Sequence, residues 1–269
     1  GIAGRTNATV SLEVPAIHLT GTFEVWLNDT NNAFSARTVD VNGTSVSIPA
    51  LPSGKYLRVE ATGATLTVLG IGLTGNFAFE SQTTSPGNLK VVAVAFTNVA
   101  FDLGTLASDL LSITNVSGGF IVTGDGIAGQ ASADVGIHVT NVGLTGTFTV
   151  RINDTELLVD EMVSVGGSTV HIDVPGGPYL QVQGTGVTLT AFGISISGDF
   201  SFEQRESTAG AQLVVVRAGN VAFDFGTSLL SANNGSALFV FTDLGMGGQG
   251  TIDVTVSAFG ESFTQPFDW

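Results

Sequence analysis

Apolar and polar residues alternate along most of the chain. Residues 57–61 (LRVEA), 65–68 (TLTV), 77–80 (FAFE), 89–94 (LKVVAV) and 99–103 (VAFDL) show this pattern. A period of two residues is typical of a β-strand with one buried face. The pattern places Glu80 and Asp102 on the face opposite the phenylalanines. We therefore predict strands in all of these segments.

Glycines and small polar residues interrupt the alternation every six to ten residues. Clusters at 42–43 (NG), 86–88 (PGN), 117–119 (SGG) and 166–167 (GG) have the composition of turns. Only 105–112 and its counterpart 227–232 have a composition that allows a helical turn. The sequence therefore predicts an all-β fold.

The chain also repeats itself. Residues 19–30 (LTGTFEVWLNDT) return as 144–155 (LTGTFTVRINDT), 98–104 (NVAFDLG) return as 220–226 (NVAFDFG), and 1–4 (GIAG) return as 126–129. The repeat is about 120 residues long. We predict a first β-repeat at 1–125, a second at 126–244 and a partial third at 245–269, which either joins subunits or caps its own module. Because Gly1 stands at a repeat boundary, we expect a chain excised from a longer array or built to join head to tail.

A weaker threefold pattern divides the first repeat into segments 3–29, 56–80 and 89–125. The first two end alike, in LTGTFEV and LTGNFAF, where a glycine precedes a phenylalanine by two positions. Glycine at such a place permits a bulge or a close backbone approach. Small β-units that cannot bury an apolar face alone must stack on their neighbours. We expect an elongated, solenoid-like stack with a core of phenylalanine and aliphatic residues, and tandem β-sandwich modules are the alternative.

Charge and cysteine content exclude several classes of function. The chain has 23 acidic and 8 basic residues, for a net charge of −15. Such a chain repels nucleic acids and anionic lipid surfaces and attracts cations, above all Ca²⁺. Without cysteine there is no thiol catalysis and no disulfide. No apolar run reaches the ~20 residues of a membrane span.

The repeated carboxylates are the best candidates for a bound ion. Asp29 and Asp154, Asp102 and Asp224, and Asp125 and Asp243 occupy equivalent positions in the two repeats. Acidic residues in turns, beside asparagine and carbonyl oxygens, supply the six to eight oxygens that Ca²⁺ prefers. The alternative is that they form Asx turns that satisfy backbone donors. Since they recur with the repeat, a carboxylate-based polysaccharide hydrolase is only a distant alternative.

Aromatic residues near the ends are candidates for joining subunits. Trp26 lies on the strand face opposite Phe23 and Val25 and is replaced by Arg151 in the second repeat. The partial third repeat carries Phe263, Phe267 and Trp269. We predict that these four aromatic side chains contact a neighbouring copy. Otherwise, 245–269 folds back and Trp269 is an ordinary core residue.

The tandem LTGxFxV segments, the GIAG starts and the NVAFDxG segments, in an acidic chain without cysteine, resemble giant adhesins and filament proteins of bacterial cell surfaces. The resemblance extends over the whole chain but is one of repetition and composition. It implies an extracellular structural or adhesive role, often with Ca²⁺ bound to the repeats. We therefore expect a non-enzymatic protein that forms a fibre, appendage or surface layer as a homopolymer. An adhesin or lectin-like module that binds a glycan or surface ligand is the alternative.

Overall fold

The computed structural model describes residues 1–14, 17–68, 71–83, 90–102, 111–139, 141–165, 167–206, 212–242 and 244–269. Strands account for most of these residues, and none of them is helical. Residues 228–229 form a turn before the next strand begins, and 103–110 lie outside the described residues. The prediction of an all-β repeat protein is confirmed.

The strands follow one another along the chain with short connections. They are β1 (Ala3–Val14), β2 (Ile17–Thr30), β3 (Arg37–Val41), β4 (Thr44–Ile48), β5 (Gly54–Val68), β6 (Ile71–Thr83), β7 (Lys90–Asp102), β8 (Leu111–Val122), β9 (Ile127–Val139), β10 (Val142–Asn153), β11 (Val159–Val165), β12 (Ser168–Val174), β13 (Tyr179–Ala191), β14 (Ile194–Glu206), β15 (Gln212–Asp224), β16 (Leu230–Thr242), β17 (Gly245–Ala258) and β18 (Glu261–Asp268).

One sheet contains 14 of these strands, in the order β1-β2-β5-β6-β7-β8-β9-β10-β13-β14-β15-β16-β17-β18. Each strand therefore pairs with the next sheet strand in the chain. The three segments of the first repeat that were predicted from sequence correspond to the strand pairs β1–β2, β5–β6 and β7–β8. The remaining strands form two separate hairpins, β3–β4 and β11–β12, one in each repeat.

Bulges interrupt the ladders near the middle of the long strands. The register shifts at Gly21, Gly75, Gly146 and Gly198, which are the glycines that precede a phenylalanine by two positions. A Cβ atom on Gly75 would lie 2.6 Å from Cγ2 of Val99, so no larger residue fits at that position without a shift. The predicted role of these glycines in bulges and close approaches is confirmed.

One predicted turn is wrong. Residues 117–119 lie inside β8, which continues to Val122. A Cβ atom on Gly119 would lie 2.8 Å from Cδ1 of Ile172 and 2.8 Å from the carbonyl oxygen of Val94. The glycine is needed because another element packs on the strand there, and no turn is required. The turn predicted at 42–43 joins β3 to β4, and 86–88 lies outside the described residues.

The chain divides into two compact units. The first comprises Gly1–Gly104, Asn115–Gly129 and Val159–Val174. Its buried residues include the small side chains of Ala61, Ala78 and Ala95 together with those of the β11–β12 hairpin. The second comprises Thr105–Thr114, Gln130–Leu158 and Pro175–Trp269, and its buried residues include Val187, Val215 and Ala232.

Large aromatic residues are less buried than the sequence predicts. Phe79 and Phe202, which occupy equivalent positions in the two repeats, are both exposed. Large apolar side chains of a single copy, these two phenylalanines among them, are therefore in contact with solvent.

Candidate assembly surfaces

The two side hairpins share a sequence pattern. Each places aliphatic residues at alternate positions on one face, Val39, Val41, Val46 and Ile48 in β3–β4 and Val163, Val165, Val170 and Ile172 in β11–β12. Each turn contains a glycine with positive φ, Gly43 at +81° and Gly167 at +77°. The pattern and the turn chemistry fold both segments into the same two-stranded element.

The apolar face of β11–β12 is buried. Val163 is 7%, Val165 0%, Val170 8% and Ile172 0% exposed. The hairpin packs across β6 and β7, and Ile172 lies over Gly119. The surface beneath it carries Ala78, Ala95 and Gly119, which we call the small-residue face. Small side chains allow the hairpin to approach the sheet closely.

The apolar face of β3–β4 is bare. All five residues of β3 are exposed, and the exposed fractions of Val39, Val41 and Val46 are 40%, 57% and 43%. The hairpin therefore has the same apolar face as its counterpart without a surface against it. Burial of a valine is worth roughly 1.5–3 kcal/mol, so any surface that covered this face would gain free energy from each of these three valines.

A buried asparagine fixes the base of each hairpin. Asn28 and Asn153 are 0% and 1% exposed. The amide of Asn28 donates to the carbonyls of Asn32 and Pro52, and its Oδ1 accepts from the backbone N–H and the hydroxyl of Thr30. Asn153 makes the same four bonds, to the carbonyls of Leu157 and Pro175 and to Thr155. The repeated Asn-Asp-Thr motif is a structural clamp in which asparagine does the bonding.

The six predicted ion ligands do not form a cluster among the described residues. Asp29 and Asp154 are exposed beside the clamps, Asp125 is exposed in a turn, and Asp224 accepts from the backbone N–H of Gly226 at 2.9 Å. The side chain of Asp102 and all of Asp243 lie outside the described residues. Within the described part of the chain, no three His, Asp or Glu side chains are grouped so that they could hold a metal. Calcium binding stays a prediction.

Trp26 lies in a ladder of charged side chains that crosses β1, β2, β5 and β6. The guanidinium carbons of Arg5 and Arg58 lie 5.6 and 5.3 Å from its ring centroid, which is cation–π distance. Arg58 also pairs with Glu60 at 2.8 Å and Glu80 at 2.9 Å. The side chain of Glu80, which the sequence predicts to point away from the phenylalanines, therefore takes part in an ion pair with Arg58. The predicted contact of Trp26 with a neighbouring copy stays a prediction.

Arg58 links this ladder to the docked hairpin, because its guanidinium donates to the carbonyl oxygen of Ser164 in β11. Burial alone would lower the pKa of Arg58, but hydrogen bonds to Glu60 and Glu80 raise it above its usual value. Burial and the nearby Glu80 carboxylate raise the pKa of Tyr56 to about 12. This side of the first unit is thus desolvated and charge-paired.

The second repeat contains an equivalent ladder of polar side chains with different partners. Arg151 replaces Trp26 and donates to Gln130 and Gln181. Glu203, the counterpart of Glu80, pairs with Arg217 on β15 at 2.9 Å. Further along the same strand pair, hydrogen bonds from the Gly186 backbone N–H and the Asn220 amide lower the pKa of Asp199. The repeated glutamate is matched by an arginine in both repeats, although from different strands.

The edges of the 14-stranded sheet are β1 and β18. All of β18 is exposed, including Phe263 and Phe267, and Trp269 beyond it is exposed as well. The ring of Trp269 lies against Gly250 in β17, and 59% of the residue is exposed, so in a single copy it is not a core residue. Pro266 in β18 pairs with Asp253 of β17. Proline has no backbone N–H, so it cannot donate a hydrogen bond to a further strand. Extension of the sheet past β18 is therefore hindered.

Of the three histidines, His171 is exposed and bonds to Asp160 at 2.7 Å, as expected for a solvent-facing strand residue. The side chains of His18 and His138 lie outside the described residues. Among the residues that the structure describes, no helix has the length and apolar character needed to cross a membrane. No protein-family model, curated protein or solved structure matches the chain.

Sequence reasoning did not identify the hairpins as candidate surfaces. The signal was present, because V-x-V, a glycine turn and V-x-I recur at 39–48 and 163–172. What the sequence did not indicate is that one copy of the element is covered and the other is bare. That difference depends on which sheet surface lies next to each hairpin.

Proposed function

We propose that this chain is a non-enzymatic extracellular structural protein. Copies of it associate to form or extend a fibre, appendage or surface layer. The observation that carries the proposal is the bare apolar face of β3–β4, whose counterpart in the same chain is buried against a β-repeat. An apolar face of this kind on an otherwise acidic surface marks an interaction site.

Two further features support assembly over catalysis. The strands of the second repeat and of β17–β18 extend the same sheet in chain order, so added repeats lengthen one structure. Large apolar side chains such as Phe79 and Phe202 are exposed on a single copy. The acidic charge of −15 keeps such a surface soluble outside its assembly.

The adhesive alternative has less support. It depends on Trp26 or the turn acids as the site for a glycan or protein partner, and the ring of Trp26 lies between the guanidinium groups of Arg5 and Arg58. Calcium enters the proposal only as an ion taken up by the acidic surface, with Asp29, Asp154 and their equivalents as candidate ligands.

The proposal is tested with the purified chain by sedimentation velocity over a range of concentrations and by electron microscopy. We expect regular filaments or sheets to grow with concentration, with an axial repeat that matches one or a whole number of subunits. A chelator added in a parallel sample reports whether Ca²⁺ takes part. Monomers at every concentration, with or without Ca²⁺, would contradict the proposal and favour a binding module.

A chain lacking 245–269 separates the contributions of the two ends. The sequence predicts that this segment joins subunits, so its removal should abolish assembly while a folded monomer remains. If the shortened chain still forms the same polymers, the joint lies elsewhere in the molecule.

A further inference from the structure

Three strands of the large sheet are copies of one another, and each begins a repeat. They are β1, β9 and β17, which align without a gap over 2–14 (IAGRTNATVSLEV), 127–139 (IAGQASADVGIHV) and 246–258 (MGGQGTIDVTVSA). In the sheet β9 lies next to β8 and β17 lies next to β16, whereas β1 is the first strand of the order. One copy therefore has a bare edge where the other two have a neighbouring strand.

The strands that cover the other two copies are also alike. Residues 111–122 of β8 (LSITNVSGGFIV) and 230–241 of β16 (LSANNGSALFVF) align without a gap, and Phe120 and Phe239 occupy the same position. We call a strand of this pattern, with its phenylalanine, a closing strand. The same pair of neighbours, a closing strand beside a repeat-initial strand, thus occurs twice in the sheet.

A glycine in each covered copy receives that phenylalanine. A Cβ atom on Gly129 would overlap Cδ1 of Phe120, and one on Gly248 would overlap Cδ1 of Phe239. Only glycine therefore lets the ring of the neighbouring strand lie at this position, an arrangement known between paired strands. Gly4 is the equivalent residue of β1, and no atom of the described residues lies within 4 Å of its Cβ position. The edge of β1 thus has the form that accommodates a phenylalanine from a strand beside it.

The edge of β1 also lacks the devices that keep a sheet edge from pairing. Natural edge strands are short, or carry proline, lysine or bulges, whereas β1 has 12 residues with neither proline nor lysine and pairs with β2 without a register shift. The other edge strand, β18, carries Pro266. Of the two edges, β1 is the one whose backbone can accept a further strand.

We propose that the free edge of β1 binds the closing strand of another array of these repeats, antiparallel and with its phenylalanine ring over Gly4. This inference rests on the proposed assembly function and names the edge at which a further repeat is added. In this chain both closing strands are covered, by β9 and by β17, so the partner is an array that ends on one. Binding of this kind adds a strand to the sheet through main-chain hydrogen bonds.

The β16–β17 ladder gives the register of the added strand. Phe239 lies opposite Gly248, and Phe241 lies opposite Met246. Transferred to β1, the first phenylalanine meets Gly4 and the second lies beside Ile2, which is 71% exposed. The added strand would therefore bury apolar surface at two successive positions on the same face.

Two residues of β1 differ in chemistry from their counterparts, and both are compatible with this register. Arg5 replaces a glutamine, and its guanidinium is held by Glu24 of β2, on the side away from the free edge. Thr9 replaces an aspartate. The counterpart Asp253 accepts a hydrogen bond from the amide of Asn234 in the closing strand at 3.0 Å, and a threonine hydroxyl can accept the same bond.

A synthetic peptide of residues 230–242, the closing strand of the second repeat, tests the proposal on the full chain. Fluorescence anisotropy of the labelled peptide, at a concentration where the chain is monomeric, should show saturable binding. Phe239→Ala in the peptide should weaken binding by about tenfold or more, because burial of the ring is lost. A peptide of the same composition in scrambled order is the control. Equal binding of the scrambled or the Phe239→Ala peptide would overturn the proposal.

Gly4→Val in the full chain tests the receiving side. Since no described atom lies near the Cβ position, the chain should keep its fold and its thermal unfolding temperature. The new side chain would occupy the place of the ring and should lower peptide affinity by about tenfold or more. The matched control is Thr6→Val, two residues along on the same face, which should leave the affinity within about twofold. Undiminished binding by the Gly4→Val chain would contradict the proposal.

A disulfide locates the peptide, since the chain has no cysteine of its own. Thr6 is the counterpart of Gly250, which lies opposite Ala237. A Thr6→Cys chain should therefore form a disulfide with an Ala237→Cys peptide on mild oxidation. An Asn7→Cys chain, whose side chain lies on the other face, should not. Equal yields from the two chains would overturn the register.

The outcomes also separate this inference from the proposed function. Filaments of the full chain together with no peptide binding would overturn the edge contact and leave assembly standing. Specific peptide binding by a chain that stays monomeric at every concentration would support the edge contact and contradict self-assembly. Neither binding nor filaments would overturn both.

Discussion

The β3–β4 and β11–β12 hairpins have the same alternation, the same turn glycine and the same asparagine clamp, yet their environments are opposite. Val165 is fully buried and its counterpart Val41 is 57% exposed. The difference comes from the sheet beneath: Ala78, Ala95 and Gly119 provide a surface on which β11–β12 lies closely. Local sequence determines the hairpin, and its burial is decided by the neighbouring repeat.

The largest expected effect on the free energy of unfolding comes from a substitution in the buried β11–β12 hairpin. Ile172→Ala removes a fully buried side chain and should cost about 2–5 kcal/mol of the free energy of unfolding. Ile48→Ala at the equivalent position should cost less than about 1 kcal/mol at a concentration where the protein is monomeric. Urea unfolding measures both. Equal losses would show that the two hairpins are packed alike in solution.

The next effect concerns the space beneath β11–β12. Gly119→Ala should destabilise the fold by about 1–3 kcal/mol, because its Cβ meets Ile172 and the Val94 carbonyl at 2.8 Å. Combining it with Ile172→Val removes the Cδ1 atom, so the loss should be smaller than the sum of the two single losses. Thermal unfolding of the four proteins in this cycle gives the coupling. Strict additivity would contradict a direct contact.

A third prediction concerns the asparagine clamp that lies at the base of both hairpins. Asn28→Asp and Asn153→Asp each remove two N–H donors and place a carboxylate against two carbonyls. Each should cost about 1–3 kcal/mol, and the two losses should be similar because the clamps are equivalent. If the Asn-Asp-Thr motif were instead a Ca²⁺ site, the added carboxylate would increase stabilisation by Ca²⁺. Unfolding with and without Ca²⁺ distinguishes the clamp from the ion site.

The smallest effect appears only at high pH. The pKa of Tyr56 is raised from 10.0 to about 12, so the native phenol keeps its proton where the unfolded one has lost it. Its contribution to stability is complete below pH 10 and should decrease as the pH rises towards 12. Ultraviolet difference titration, with Tyr56→Phe as the control, should show one of the two tyrosines titrating late. Two tyrosines with ordinary titration curves would contradict the desolvated environment beside Glu80.

The all-β class and the bulges at Gly21 and Gly75 could be predicted from sequence. Alternation and glycine position are local signals, and the backbone responds to them locally. The glycine pair at 118–119 was misinterpreted as a turn for the same reason. Nothing in its immediate neighbours reveals that Ile172, more than fifty residues away in the chain, lies against it.

The candidate site could be predicted only in part. Phe263, Phe267 and Trp269 are exposed at the end of the sheet, and Trp26 lies within cation–π distance of Arg5 and Arg58 on neighbouring strands; the contact of these four side chains with a neighbouring copy stays a prediction. In the Asn-Asp-Thr motif the sequence offered two roles, ion ligands in the aspartates or Asx turns that satisfy backbone donors. The clamp is made by the neutral asparagine, because only an amide can donate to two carbonyls while its oxygen accepts, and an ion role for the aspartates stays a prediction.

The docked hairpin belongs to the second repeat and lies on the first, so the contact between repeats is polar along the chain. If copies associated through contacts of this kind, one terminus of the row would display a free hairpin and the other a repeat without a docked hairpin. The two tips would be chemically unlike, so they would capture new subunits at different rates. Such a polymer would have a leading and a trailing end, and a cell could attach it by one end while it grows from the other.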